Sequence, residues 1–78
     1  MEIPDDLIAL QRAADDEGRR LSELTDNDER EAQRRAWYDA GARVQAAVTE
    51  WAKANGKNRF DVEKQVRATV RQPPPSGS

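Results

Sequence analysis

The sequence predicts an all-α fold: an antiparallel helical hairpin with a long second helix, a short third helix packed back on it to complete a three-helix bundle, and a disordered C-terminal tail. Three observations predict it. The chain is rich in Ala, Glu, Arg and Gln, which form helices readily. Its large apolar residues recur at three- and four-residue steps, the spacing that gathers side chains on one helix face. Gly and Pro interrupt helices and fall at a few points only: Pro4, Gly18, Gly41, Gly56 and, from Pro73 on, three prolines and a last Gly.

The first helix is expected over residues 4–24. Pro4 suits the first helical position, where its missing N–H has no intrahelical partner, and Asp5 and Asp6 oppose the positive end of the helix dipole. Leu7, Leu10, Ala14, Leu21 and Leu24 form its apolar stripe, interrupted by Glu17. Gly18 leaves open an earlier end to this helix, since a lone interior Gly costs only ~1 kcal/mol. The second helix is expected over residues 26–54. Thr25 with Asp28 three residues on resembles a capping box, and Asp26, Asp28 and Glu29 load the first turn with negative charge. Asn55-Gly56 should stop it, because Gly adopts the left-handed conformation that closes a helix C-terminus. Trp37, Ala40, Val44, Ala47, Val48 and Trp51 line one side, and Gly41 beside them is expected to admit a close neighbour. The third helix is expected over residues 59–71, opened by Asn58 with Asp61 and buried through Val62, Val66 and Val70. Residues 1–71 thus make one domain. Residues 72–78 cannot extend a helix and are expected to be disordered or locally polyproline-like.

An antiparallel pairing of the first two helices matches large residues with small ones: Ala14 with Trp37, Leu10 with Gly41, Leu7 with Val44 and Ile3 with Val48. It also brings Glu17 to Gln33 and Arg34. The third helix, folding back in the same way, would set Val62 by Trp51, Val66 by Ala47, and Val70 by Arg43 and Val44. Arg30 and Gln33 then occupy positions that should face a core, so that end of the hairpin is expected to be thinly packed.

Composition narrows the function classes. There is no Cys and no His, which removes thiolate chemistry, the commonest general base and the commonest metal ligand. The start of the chain has no basic region followed by an apolar run, and no stretch approaches ~18 apolar residues, so no membrane role and a cytoplasmic location are expected. A domain of 78 residues buries only about 60% of the surface of its unfolded chain, which makes association with a second copy an expected route to stability. Residues 1–31 hold 11 acidic and 4 basic side chains, whereas residues 32–78 hold 4 acidic and 9 basic. The asymmetry reads as attraction between the first and third helices. Arg outnumbers Lys ten to three and Ala occurs twelve times, a bias expected of a GC-rich bacterial genome. The segments Ile3-Pro4-Asp5-Asp6-Leu7-Ile8 and Asn58-Arg59-Phe60-Asp61-Val62-Glu63 resemble small uncharacterised all-helical proteins of actinomycetes, a resemblance that implies no function.

No residues form a catalytic constellation. Asp5-Asp6 and Asp15-Asp16-Glu17 are paired carboxylates, but neighbours on a helix point about 100° apart and do not converge on one metal ion. Ser22, Thr25, Tyr38 and Lys53 have no partner at the spacing of an activated nucleophile. The chain is therefore expected to be non-enzymatic, with no cofactor, no metal and no small-molecule substrate. Trp37 and Trp51 read as core residues, with the alternative that they anchor an interface. Tyr38 lies 100° off the apolar stripe and should be partly exposed. Phe60, Lys64, Arg67 and Arg71 recur on one face of the third helix, opposite the valines. That face is either a solvated basic surface with Phe60 closing the turn over Trp51, or a contact surface for phosphates. The turn at Asn55 to Lys57 does not make a helix-turn-helix, because the helix before it is far too long. The favoured function is a protein-protein interaction or self-association module using Arg30, Gln33, Tyr38, Phe60, Lys64, Arg67 and Arg71, its partner another protein or a second copy in a homodimer. The alternative is a small nucleic-acid-associated regulator acting through the basic face.

Overall fold

The computed structural model describes residues 2–71, and the expected tail lies outside them. It holds three helices, α1 (Asp5–Glu23), α2 (Asn27–Ala54) and α3 (Arg59–Arg71), and no strand among the described residues. Each helix contacts both others. The fold is an all-α three-helix bundle with a long second helix.

The ends differ from expectation by a residue, and the reasons are in the caps. Pro4 precedes α1 with an extended backbone, and its carbonyl accepts from the Leu7 and Ile8 amides at 3.1 and 3.4 Å. Asp26, not Thr25, caps α2: its carboxylate accepts from the Glu29 amide at 3.0 Å. A carboxylate there also meets the positive end of the dipole, which a hydroxyl does not. At the other end Gly56 has φ 62°, the Lys57 amide bonds to Ala52 O at 2.8 Å and the Gly56 amide to Lys53 O at 3.4 Å, the paired closure that a left-handed residue permits. The Asn58 side chain accepts from the Phe60 amide at 2.8 Å to open α3.

The core is small and built of small residues. Leu7, Ile8, Ala14, Val44, Val48, Ala52, Val62 and Val66 form one buried cluster, and the side chains sealed most completely are all valines: Val48, Val62 and Val66. β-branched side chains lose little rotamer freedom on burial, so such a core loses less entropy than one of Met or Leu. Ile8, next to Leu7 and off the stripe that faces α2, is buried as well because α3 packs against α1 from another side.

The hairpin has the expected antiparallel sense, and Gln33 reaches Glu17 as expected: its amide donates to Glu17 O at 2.9 Å and to Glu17 Oε2 at 2.6 Å. The close approach expected at Gly41 occurs at Gly18 instead. Trp37 leans on Gly18, where a Cβ would lie 3.1 Å from the indole Nε1, whereas a Cβ at Gly41 would meet nothing within 4 Å. Helical side chains slant toward the N-terminus of their own helix, so the indole reaches one turn closer to the hairpin turn than its Cα does. α1 runs unbroken through Gly18 for the same reason: the ring fills the space that the missing side chain leaves. Gly18→Leu is expected to push the indole away from α1. Overpacking of ~1 to 3 kcal/mol opposes the ~1 kcal/mol gain in helix propensity, so the net loss of stability is small and tryptophan emission should move to longer wavelength. Unchanged emission would remove the Gly18–Trp37 contact.

The register of α3 also differs. Gln45 meets the first turns of α3 through Arg59 and Glu63, the latter at 3.4 Å, rather than lying level with Ala68 as continuous pairing along α2 would require. The valines still face inward. α3 is therefore held by Val62 and Val66 against both other helices instead of following α2 residue by residue.

Candidate protein interaction surface

Of the residues expected at an interface, Arg30 and Gln33 are committed internally. The Arg30 guanidinium donates from one Nη1 to Leu21 O and Leu24 O, both at 2.8 Å. These carbonyls belong to the end of α1, where the last four have no intrahelical donor, and the positive charge meets the negative end of the dipole. Together with Gln33 on Glu17, this gives the turn end of the hairpin a polar clamp in place of the thin packing expected from sequence.

Three of the four aromatic side chains lie at the surface. Trp37 is 40% exposed, Tyr38 63% and Phe60 72%. Trp37 is thus not a core residue; it covers Gly18 with one side and leaves the other to solvent. Tyr38 stacks beside it, with ring centroids 5.9 Å apart and planes 18° from parallel. Trp51 is half-buried at the core margin. Phe60 does not close the turn over Trp51; its ring faces outward with the Arg59 guanidinium 5.9 Å from its centroid.

The basic face of α3 is brought together as the spacing predicts. Phe60, Lys64, Arg67 and Arg71 border one depression of about 450 Å³ together with Glu63 and Ala68. Its charge is partly cancelled: Arg67 pairs with Glu63 at 2.8 Å. Every ion pair among the described residues joins positions three or four apart on one helix, so the charge asymmetry between α1 and α3 is not expressed as a bridge between them. Such exposed pairs contribute only ~0.2 to 0.5 kcal/mol each.

A second concavity, of about 420 Å³, was not legible from periodicity. It lies where the three helices diverge: Ala14 from α1, Trp37, Gly41 and Val44 from α2, and Val70 from the end of α3 supply its apolar surface. The empty space over Gly41 is part of it. Gln11, Asp15, Gln45, Arg67 and Arg71 form its polar rim. Among the described residues no three His, Cys, Asp or Glu side chains gather into a possible metal site, and no helix is long and apolar enough to cross a membrane. No family model, no curated protein and no solved structure matches the chain.

Proposed function

We propose that the chain is a non-catalytic helical interaction module that binds another protein or a second copy of itself. The observation that carries this reading is the placement of Trp37, Tyr38 and Phe60 at the surface of a chain whose core is made of Val, Ala, Leu and Ile. Exposed rings in so small a domain contribute little to its own stability, whereas aromatic side chains are the usual anchors of protein interfaces. The reading takes the cytoplasm as the compartment, in keeping with 36% charged residues and a mean hydropathy of -1.04.

The test uses Tyr38→Ala combined with Phe60→Ala, which alters two exposed rings and leaves the buried cluster untouched. Sedimentation equilibrium of the native chain should show association, and the double variant should weaken it by roughly 30-fold if the rings contribute ~2 kcal/mol. A native chain that stays monomeric, and whose immobilised form retains no protein that the variant fails to retain, would refute the proposal.

The second reading, a nucleic-acid-associated regulator, is favoured by one observation: Lys64 and Arg71 flank an exposed Phe60. The Arg67–Glu63 pair and the net charge of -2 weigh against it. Duplex DNA binding that falls steeply with salt, and that is lost on changing Lys64, Arg67 and Arg71 to Gln, would put this reading first.

A further inference from the structure

The cleft where the three helices diverge mixes apolar and charged groups. From α2 come Trp37, Gly41 and Val44, spaced four and three residues apart on one helix face and spanning roughly 10 Å. Asp15 of α1 and Arg67 and Arg71 of α3 bring charge to the same space. Gly41 is the member that the fold does not explain. A Gly inside a helix is less stable there than Ala, and Gly41 has no left-handed backbone that would require it. At Gly18 the indole of Trp37 takes the room that the missing side chain leaves, whereas a Cβ at Gly41 would meet nothing within 4 Å. What its bare backbone does is keep a slot open beside the indole.

The groups around that slot define its ligand. The indole rests on Gly18 and is 40% exposed, which gives a fixed aromatic surface for a second flat ring to stack on. Of the two guanidinium groups, Arg67 is held by Glu63 at 2.8 Å, whereas Arg71 joins no ion pair among the described residues. The planar fork of an arginine matches a carboxylate through two parallel hydrogen bonds. Asp15, which accepts from Gln11 at 2.9 Å, lies in the same lining and disfavours a second negative charge, so a single carboxylate suits the site better than a phosphate dianion. We propose that the cleft is a binding site for a small planar aromatic carboxylate, its ring over Gly41 against the indole of Trp37 and its carboxylate on Arg71. The volume of about 420 Å³ falls within the roughly 300 to 1,000 Å³ of small-molecule sites. The site is complete in one chain and does not depend on the partner proposed above.

Titration of the isotope-labelled full chain with naphthoate, followed by nuclear magnetic resonance to roughly 10 mM, tests this. The Trp37 indole N–H and the Gly41 amide should move and saturate, while the Trp51 indole N–H stays in place. Arg71→Gln should weaken binding by roughly 10-fold, the effect of losing hydrogen bonds from a charged donor. Naphthalene carboxamide, which keeps the ring and lacks the charge, should bind the native chain no better than naphthoate binds that variant. Gly41→Leu fills the slot without touching the buried cluster, so it should keep the helical circular dichroism and a melting temperature at or above the native one, and should abolish the shifts. Naphthoate that moves neither Trp37 nor Gly41 overturns the proposal. Undiminished binding to Gly41→Leu, or a carboxamide that binds as tightly as the acid, also overturns it.

Discussion

Val48→Asp is expected to unfold the protein. Val48 is 0% exposed and sits on α2 within the cluster formed by Leu7, Ile8, Val44, Ala52, Val62 and Val66, among which no polar or charged side chain is buried. A carboxylate placed there has no cation or hydrogen-bond donor of another side chain to meet it, and the penalty for an uncompensated buried charge is several kcal/mol. The whole stability of a domain of 78 residues is about 4 to 12 kcal/mol. Loss of far-UV helical circular dichroism at neutral pH is the expected result. Retention of a cooperative urea transition near the native midpoint would show that Val48 is not at the centre of the core.

The second large effect is expected at Arg30. Arg30→Ala removes two hydrogen bonds from a charged donor to the carbonyls of Leu21 and Leu24 and leaves the end of α1 to water. Hydrogen bonds to charged groups contribute more than neutral ones, and because the site is only partly buried, the expected loss is about 1 to 3 kcal/mol. Arg30→Lys keeps the charge at the negative end of the dipole but not the planar fork, and should recover only part of it. Urea denaturation with an unchanged slope and a lowered midpoint is the measurement. A midpoint equal to that of the native chain would sink the clamp.

Much of the architecture was legible because it follows from local rules. The Val62, Val66 and Val70 spacing, the left-handed Gly56 and the Asp-rich first turn of α2 each dictate a conformation within a few residues, and the structure has all three. What escaped depends on contacts between helices. Ile8 and Ala52 are buried by neighbours that no single-helix pattern shows. The Gly18–Trp37 contact needs the slant of a side chain along its helix as well as the register. Arg30 and Gln33 were read as a gap in the core because they are polar, although the unsatisfied carbonyls at the end of α1 were a signal that donors were required there. The basic face of α3 was legible from spacing alone, while the cleft beside Trp37 arises from three helices diverging and has no signature in any one of them.

The polar clamp has a consequence for the order in which the chain folds. Arg30 and Gln33 reach partners 9 and 16 residues away in sequence, whereas the valine cluster joins residues near the two ends of the hairpin and the middle of α3. Closing a short loop loses less chain entropy than closing a long one. The clamp is therefore expected to set the two long helices in register from the turn outward before the apolar cluster assembles, in which case Arg30→Ala should slow folding more than it speeds unfolding. The polar contacts that fix alignment and the apolar cluster are thus held at opposite ends of the hairpin.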